Sequence, residues 1–424
     1  MYGAGLVLRF VSGLILSRLL FPEAFGLAVT VGLVSTGLIM LSNVGVSQSI
    51  IQSPNGDRPE FLNTGWVVLA ARGTGLWLIS VLLTYPLAWM LDEPQLLWLL
   101  PVGCLSVLIT GLSSTSVITL RRRLQLKPVL ALEAATQILT FVLNVWLAWW
   151  WQSVWALVIS PLVASVFSTV VSHLLDVGYR NRIQWHTASW REMYAYGRWI
   201  QASSAMSFAS SQADRFLLAH YIGMASLGVY NFATIMAEAI SAGVVRITHG
   251  VLFPLLSQVG REDPSALCDR YYRIRLRGDI IALLPIGAIA ASSQQIVDLL
   301  FDDRYSEAGW MLQALCIRAA MICLLAPVET FLFSVGHTRY GLYRDIARAL
   351  WVLPAIPIAW HLGGLAAVVW VIALSEIPVA AVLWFAARRH GYLRWTREAV
   401  GPLAFLVGLI AAMAFWRLVD HLLG

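Results

Sequence analysis

Four ionisable residues stand inside one long apolar stretch, Ser211–Gln258: Asp214, Arg215, Glu238 and Arg246. An ionised side chain at bilayer depth is costly, so such residues face a water-filled cavity or a partner. Arg9, Arg72 and Arg318 stand in apolar runs of their own. A guanidinium is a planar fork that keeps its charge and grips phosphate oxygens two at a time. Arg9, Arg72 and Arg246 fall toward one side of the membrane, where they would form a cationic patch for a phosphorylated head group. At 1.5 Å rise per residue, Arg72 is roughly 15 Å and Arg246 roughly 10 Å from that end of their helices. Arg318 and Arg215 fall in the opposite half and would hold the same ligand on its way out. Pairing with a local carboxylate is the alternative for each, and Asp214 and Arg215, being adjacent, point different ways on a helix.

The acids expected inside apolar runs are Glu133, Glu238, Glu329 and Glu376, with Asp214 beside them. Burial raises a carboxyl pKa and lets it load and release a proton near neutral pH. Glu238, nearest mid-membrane, is the main candidate for ion coupling, followed by Asp214, Glu329 and Glu376. Neutralising an arginine is the competing role for each of them.

These residues need membrane helices to position them. The chain is 59% hydrophobic and 12% charged, which excludes an ordinary soluble domain. Runs long enough to span number thirteen, near 3–20, 24–50, 62–91, 95–120, 128–150, 152–175, 196–222, 226–253, 276–300, 308–335, 340–361, 364–387 and 399–418. The narrowest separations are at Gln152 and between His361 and Gly364. The first run lacks a basic leader and continues into a second, so no cleavable signal is expected.

The net charge of +6 does not imply nucleic acid, because the basic residues sit in alternate short loops. One set of loops holds Arg121–Arg123 and Lys127, then Arg180, Arg182 and Arg191, then Arg261, Arg270, Arg273 and Arg275, then Arg339, then Arg388, Arg389, Arg394 and Arg397. The other set holds Asp92 and Glu93, the Trp149–Trp151 cluster, and Asp302, Asp303, Arg304 and Glu307. The basic set is predicted to be cytoplasmic, with the N-terminus inside and the C-terminus outside. Many of the 19 tryptophans stand near helix ends, as interfacial anchors do. The polar segment 257–277 reads as an amphipathic surface helix with Leu267, Tyr271 and Ile274 on one face and snorkelling basic residues. Cys104, Cys268, Cys316 and Cys323 have no metal spacing and read as free thiols.

Shifted by 202 residues, Leu16, Leu20, Phe25, Gly26 and Leu27 fall on Leu218, Ile222, Leu227, Gly228 and Val229. With two sets of six runs and a polar linker, this supports an internal repeat, a common transporter plan. The expected architecture is an all-α polytopic membrane protein. Its parts are a first six-helix lobe (1–176), a cytoplasmic linker (177–195), a second six-helix lobe (196–388), and a loop with a thirteenth helix (389–424).

Several motifs carry a resemblance. They are Gln212-Ala213-Asp214-Arg215, Gly223, Ser226-Leu227-Gly228-Val229-Tyr230-Asn231-Phe232-Ala233, the early Arg18–Leu27 segment, Phe253-Pro254-Leu255-Leu256-Ser257, Asp303-Arg304-Tyr305 and Ala308–Leu312. Over roughly Arg18 to Arg348 the chain resembles the Wzx-like oligosaccharide flippases. These form the polysaccharide-transport branch of the multidrug/oligosaccharidyl-lipid/polysaccharide exporter superfamily. The resemblance implies two six-helix lobes in a V around a central cavity. It implies an undecaprenyl-pyrophosphate-linked oligosaccharide as substrate, proton or sodium as coupling ion, and polysaccharide polymerase machinery as a partner beside the membrane lipids. A drug or cation antiporter is the alternative, although mid-membrane arginines would repel a cation. A polymerase or glycosyltransferase would need a sizeable extramembrane domain. No nucleophile triad or phosphate-cradling glycine loop is visible, so neither an enzyme nor a cofactor is expected.

The orientation is testable. Alkaline phosphatase, active only outside the cytoplasm, should be inactive when fused after Arg123 and active when inserted in the Asp302–Glu307 loop. Activity at Arg123 would reverse the topology.

Overall fold

In a lipid core each backbone N–H and C=O must find its partner within its own segment, so apolar runs of this length fold as helices. The computed structural model describes residues 2–263 and 266–423, and no strand occurs among them. Eight helices are long and apolar enough to cross a membrane, or up to ten if two bent pairs each make one span. The protein is a multi-pass, all-α membrane protein. It divides into two compact units, Met1–Gly228 and Val229–Gly424.

The first unit contains α1 (Tyr2–Leu19), α2 (Pro22–Leu41), α3 (Val46–Gln52), α4 (Pro59–Met90), α5 (Leu96–Gly111), α6 (Ser116–Arg122), α7 (Leu126–Trp151), α8 (Trp155–Leu174), α9 (Thr187–Ser211) and α10 (Ala213–Tyr221). The helix α11 (Gly223–Ile247) begins in it. The second unit continues through a π-helical turn (Thr248–Leu252) into α12 (Phe253–Glu262), then α13 (Leu267–Ala291), α14 (Ser293–Leu300), α15 (Ala308–Ser334), α16 (Arg339–Ala373), α17 (Glu376–Arg389), α18 (Trp395–Glu398) and α19 (Val400–Leu423). The bent pairs are α5–α6, at 56°, and α13–α14, at 72°.

Each of the thirteen expected runs overlaps helix, but 24–50, 95–120, 196–222 and 276–300 are each broken into two helices, and both narrow separations between runs have a local cause. Gln152 takes φ 47°, a left-handed conformation that ends α7 before α8 starts. Within α16 the helix is interrupted at Gly363 and Gly364, and Gly364 has φ 59°, which glycine adopts without steric cost. Prolines open α2 and α4 at Pro22 and Pro59, where the missing N–H is no loss.

Helices in lipid cannot rely on apolar burial against one another, so small residues bring their backbones together. Three crossings use a pair of glycines in this way. A methyl group on Gly26 would overlap the Met224 carbonyl, and one on Gly228 would overlap the Pro22 carbonyl. The contact is reciprocal in the register of the 202-residue repeat, because Pro22 shifted by 202 is position 224. Gly73 and Gly111 bring α4 and α5 together, while Gly287 and Gly408 abut the Phe405 and Leu284 carbonyls where α13 crosses α19. The C-terminal helix is therefore built into the second unit through α13, and Trp416 Nε1 donates to Ser292 Oγ at 2.7 Å.

At one end of the first unit the polar loops are sewn together. Arg122 donates to the carbonyls of Ile50, Ile51 and Ser53, which closes the end of α3. Asp57 accepts from Arg122 at 2.8 Å and Arg123 at 3.2 Å. Slight burial raises its carboxyl pKa, but the two guanidinium hydrogen bonds outweigh that and hold it below its ordinary value. Residues 177–195 dock on the same end. Asn181 Oδ1 accepts from Ser114 Oγ at 2.7 Å, Asn63 Nδ2 donates to Gln184 Oε1 at 3.0 Å, and Ser53 pairs with Glu192. Asp57 thus lies at the same end as the basic Arg121–Arg123 loop.

Two sequence expectations are corrected. Segment 257–277 is not one surface helix: α12 ends at Glu262, and α13 starts at Leu267 and runs on to Ala291. Leu267 and Tyr271 are buried as expected, but Ile274 is exposed and Arg275 is enclosed. Glu133 is not buried; its side chain is 46% exposed and pairs with Arg121 at 2.5 Å.

The glycine crossing of α2 and α11 predicts that Gly26→Val or Gly228→Val destabilises by about 1–3 kcal/mol through overpacking. Gly32→Val, at a position with nothing within 4 Å of an added methyl group, should be close to neutral. Thermal unfolding in detergent measures the difference.

Candidate functional site

The second unit collects most of the membrane-depth charge. Its centre is α15, whose apolar window is 72% buried, against 17% for α19. Around α15 four arginines, Arg275, Arg318, Arg344 and Arg348, each have an acid beside them. Arg275 on α13 is enclosed: it pairs with Asp279 at 3.2 Å and with Glu398, and donates to Tyr271 Oη at 2.9 Å and the Leu324 carbonyl at 3.1 Å. Glu398 also accepts from Tyr272 Oη at 3.0 Å and Trp384 Nε1 at 3.1 Å. Short α18 thereby pins the start of α19 into the unit. Arg344 on α16 pairs with Glu329 and with Asp345, at 2.8 Å.

One turn further along α16, Arg348 donates to Glu376 Oε2 at 2.6 Å. On the other side of that carboxylate, Arg318 Nε lies 3.7 Å from Oε1. Two guanidinium groups thus share one carboxylate that is only 1% exposed. Arg318 also lines a small cleft with Glu238, Thr234, Ala237, Leu315, Ala319 and Ile322. Glu238, Arg318 and Glu376 are therefore brought into one neighbourhood, with Arg348 joining them. A buried guanidinium–carboxylate pair offsets the desolvation of both groups only when its geometry is good, and losing one partner leaves an uncompensated charge.

The other candidates stand apart from it. Glu329 belongs to the Arg344 pair. Arg246 is exposed in the last turn of α11. Asp214 is buried at the start of α10, and its Oδ1 accepts the Arg215 backbone N–H at 2.8 Å. Arg215 itself is half-buried and reaches Gln212 Oε1 at 3.4 Å. Arg9 lies in α1, but its side chain is outside the described residues.

Arg72, in the first unit, is held differently. About 13 residues, or roughly 20 Å, into α4, its Nε donates to Ser42 Oγ at 3.0 Å and an Nη to the Ile39 carbonyl at 2.5 Å. Both acceptors belong to the C-terminal turn of α2, whose carbonyls have no intrahelical partner. Among the described residues Arg72 pairs with no carboxylate. A guanidinium has five N–H groups, so this anchoring leaves donors for an anion.

Sequence reasoning missed Arg275, Asp279, Arg344, Asp345 and Arg348 as parts of buried clusters. Arg344 and Arg348, four apart inside an apolar run, carried a usable signal, because that spacing aims both at one helix face. The four cysteines are free thiols, as expected.

The sequence and fold comparisons decide the lineage. The family described as "Polysaccharide biosynthesis protein" matches residues 15–309. The chain belongs to that family. It is 22% identical over 352 residues to the lipopolysaccharide biosynthesis protein WzxC of Escherichia coli (strain K12), covering 82% of this chain and 71% of that one. It is 21% identical over 421 residues to the succinoglycan biosynthesis transport protein ExoT of Rhizobium meliloti (strain 1021), covering 98% and 83%. Its fold resembles that of the lipid II flippase MurJ in an inward closed conformation, with TM-score 0.73 at 10% identity, covering 98% of each chain. It also resembles that of an inward-facing multidrug resistance transporter of the MATE family, with TM-score 0.68 at 13% identity. These likenesses place the protein among polysaccharide-pathway membrane proteins with a transporter fold.

The shared carboxylate predicts a specific weakness. Glu376→Gln should destabilise by about 3–5 kcal/mol, because two guanidinium groups lose their common partner. Asp269→Asn removes a half-exposed acid paired with Arg394 and Arg397 and should melt close to wild type, because solvent screens the pair. Thermal melts of both variants test the ranking.

Proposed function

We propose that the protein flips an undecaprenyl-pyrophosphate-linked oligosaccharide from the cytoplasmic to the outer leaflet of a bacterial inner membrane, in the synthesis of a surface or secreted polysaccharide. The N-terminus and the basic loops are cytoplasmic in this reading. Lobes 1–176 and 196–388, joined by 177–195, would give alternating access, with 389–424 as an appended loop and helix. Family membership supports the substrate class, and WzxC and ExoT are named for lipopolysaccharide and succinoglycan biosynthesis. The single observation that carries the binding assignment is Arg72, fixed by two neutral acceptors and by no described carboxylate.

Arg72 and Arg246 are the principal pyrophosphate ligands in this reading, with Arg9 a further candidate and Arg318 and Arg215 assigned to the exit path. A charge-assisted fork on a phosphate contributes more than a neutral hydrogen bond and orients the head group. Release needs a competing event, and Glu238 can supply it. Arg318 and Arg348 carry two positive charges and Glu376 one negative; an ionised Glu238 on the Arg318 cleft makes the group neutral. Protonation of Glu238 leaves an excess positive charge, which biases the helices bearing these residues toward another packing. A proton or a sodium ion fits this role. Asp214, Glu329 and Glu376 are weaker candidates, since Glu329 and Glu376 already serve arginines. A drug or cation antiporter would place acids, not arginines, where Arg72 stands. Polysaccharide polymerase machinery would consume the flipped product, and no catalytic step falls to this chain.

Export in a deletion strain complemented with variants tests the reading. Arg72→Ala and Arg246→Ala should each abolish export at normal protein levels, and Arg→Lys should keep a fraction, since charge survives and the fork does not. Normal export from both alanine variants refutes the assignment. In vesicles, Glu238→Gln should bind substrate yet lose its dependence on an imposed pH step; undiminished gradient-driven transport removes Glu238 from coupling.

A further inference from the structure

One cavity in the second unit has no place in the transport reading. It measures about 590 Å³ and is open on one side, between the start of α16 and the end of α17. Arg339 and Arg389 stand at its rim, Tyr340 and Tyr343 line one wall, and Ala381, Val382 and Phe385 line the other. Arg339 opens α16 and Arg389 closes α17, so both guanidinium groups sit where the helices leave the apolar zone. Among the described residues neither arginine pairs with a carboxylate. The Arg339 guanidinium lies 5.3 Å from the Tyr340 ring centroid, a cation–π contact that holds it over the cavity wall.

Polarity runs along the cavity in one direction only. Ile377, Ala381, Phe385 and Arg389 recur every four residues and form one stripe on α17. Its apolar part is open, with Ile377 47% and Phe385 60% exposed. Tyr343, 47% exposed, faces outward on α16. An apolar groove ending in two unpaired cations has the same layout as a phospholipid with an anionic head group. A soluble anion would have no use for the apolar wall, and a peptide would not match a groove charged only at its end.

Arg339 and Arg389 supply the permanent charge at this end. His337 and His390 stack at 3.8 Å beside the cavity, and Tyr340 Oη lies 3.3 Å from His390 Nε2. Burial, then the neighbouring His390 and Arg339, hold the His337 imidazole below its ordinary pKa, so near neutral pH it adds no cation.

We propose that this cavity is a binding site for an anionic phospholipid of the leaflet that faces the basic loops. Arg339 and Arg389 hold the phosphate, and an acyl chain lies along Phe385, Ala381 and Ile377. The site shares no residue with the proposed pyrophosphate ligands and would tie the α16–α17 hairpin to the membrane surface.

Native mass spectrometry of the full-length protein, titrated with phosphatidylglycerol or with phosphatidylcholine of the same chains, tests the proposal. The wild type should bind phosphatidylglycerol more tightly, and the Arg339→Gln/Arg389→Gln double variant should lose about tenfold or more of that preference, the size expected for hydrogen bonds to a charged group. The Arg339→Lys/Arg389→Lys variant should keep part of it, because charge remains without the fork. Phe385→Ala should weaken both lipids alike. Equal binding of the two lipids by the wild type, or an unchanged preference in a double glutamine variant that melts like wild type, overturns the proposal. So does displacement of phosphatidylglycerol by millimolar inorganic phosphate, which would indicate a simple anion site. Should the glutamine variant fail to fold, the lysine variant decides: an undiminished preference there counts against it.

Discussion

A charge carried into the membrane has to be answered inside it, and the second unit is organised around that requirement. Five helices that could otherwise slide past one another, α13, α15, α16, α17 and α18, are locked by their acids and bases. Arg275 draws in Asp279 on its own helix and Glu398 from the segment leading into α19. Arg344 and Arg348 reach from α16 to Glu329 on α15 and Glu376 on α17. Such pairs are poor sources of net stability compared with apolar packing, but breaking one is expensive. They therefore act mainly as constraints on which packings are allowed. A transporter needs a small number of discrete packings, and bistable charge pairing is one way to define them.

The helices were legible because lipid imposes a length and a composition on them. Even their narrowest breaks showed: Gln152 and the Gly363–Gly364 pair interrupt long apolar stretches, and the helices end or kink there; the bends inside α5–α6 and α13–α14 carried no such mark. The loop charges were equally plain, and Asp57, in a loop of mixed charge, pairs with Arg122 and Arg123 of another loop. What could not be seen was partner choice. Arg275 reads as one of a run of basic residues near a helix start, yet its carboxylate Glu398 lies 123 positions away. Arg72 and Arg318 look alike in sequence. One is held by a helix terminus and the other by a carboxylate, a difference made entirely by tertiary neighbours.

The repeat was faint in residue identity and firm in geometry. Gly26 and Gly228 are equivalent under the 202-residue shift, and each is pressed against the carbonyl four residues before the other. Only the absence of a side chain was needed at those points, so little else in the surrounding sequence had to stay similar. Function was legible by resemblance, and the family match confirms the lineage.

The extent of the first compact unit bears on how the protein is made. That unit runs to Gly228 and so includes α9, α10 and the first residues of α11. Gly197 abuts the Val44 carbonyl, Asn43 donates to Ser204, and Met193 joins the cluster of Ile50, Phe61 and Leu62. A polar helix such as α9 is a poor client for lipid on its own. As it leaves the ribosome it meets a finished surface on α2, α3 and α4, so insertion of the second half can be templated by the first and need not await its own later helices.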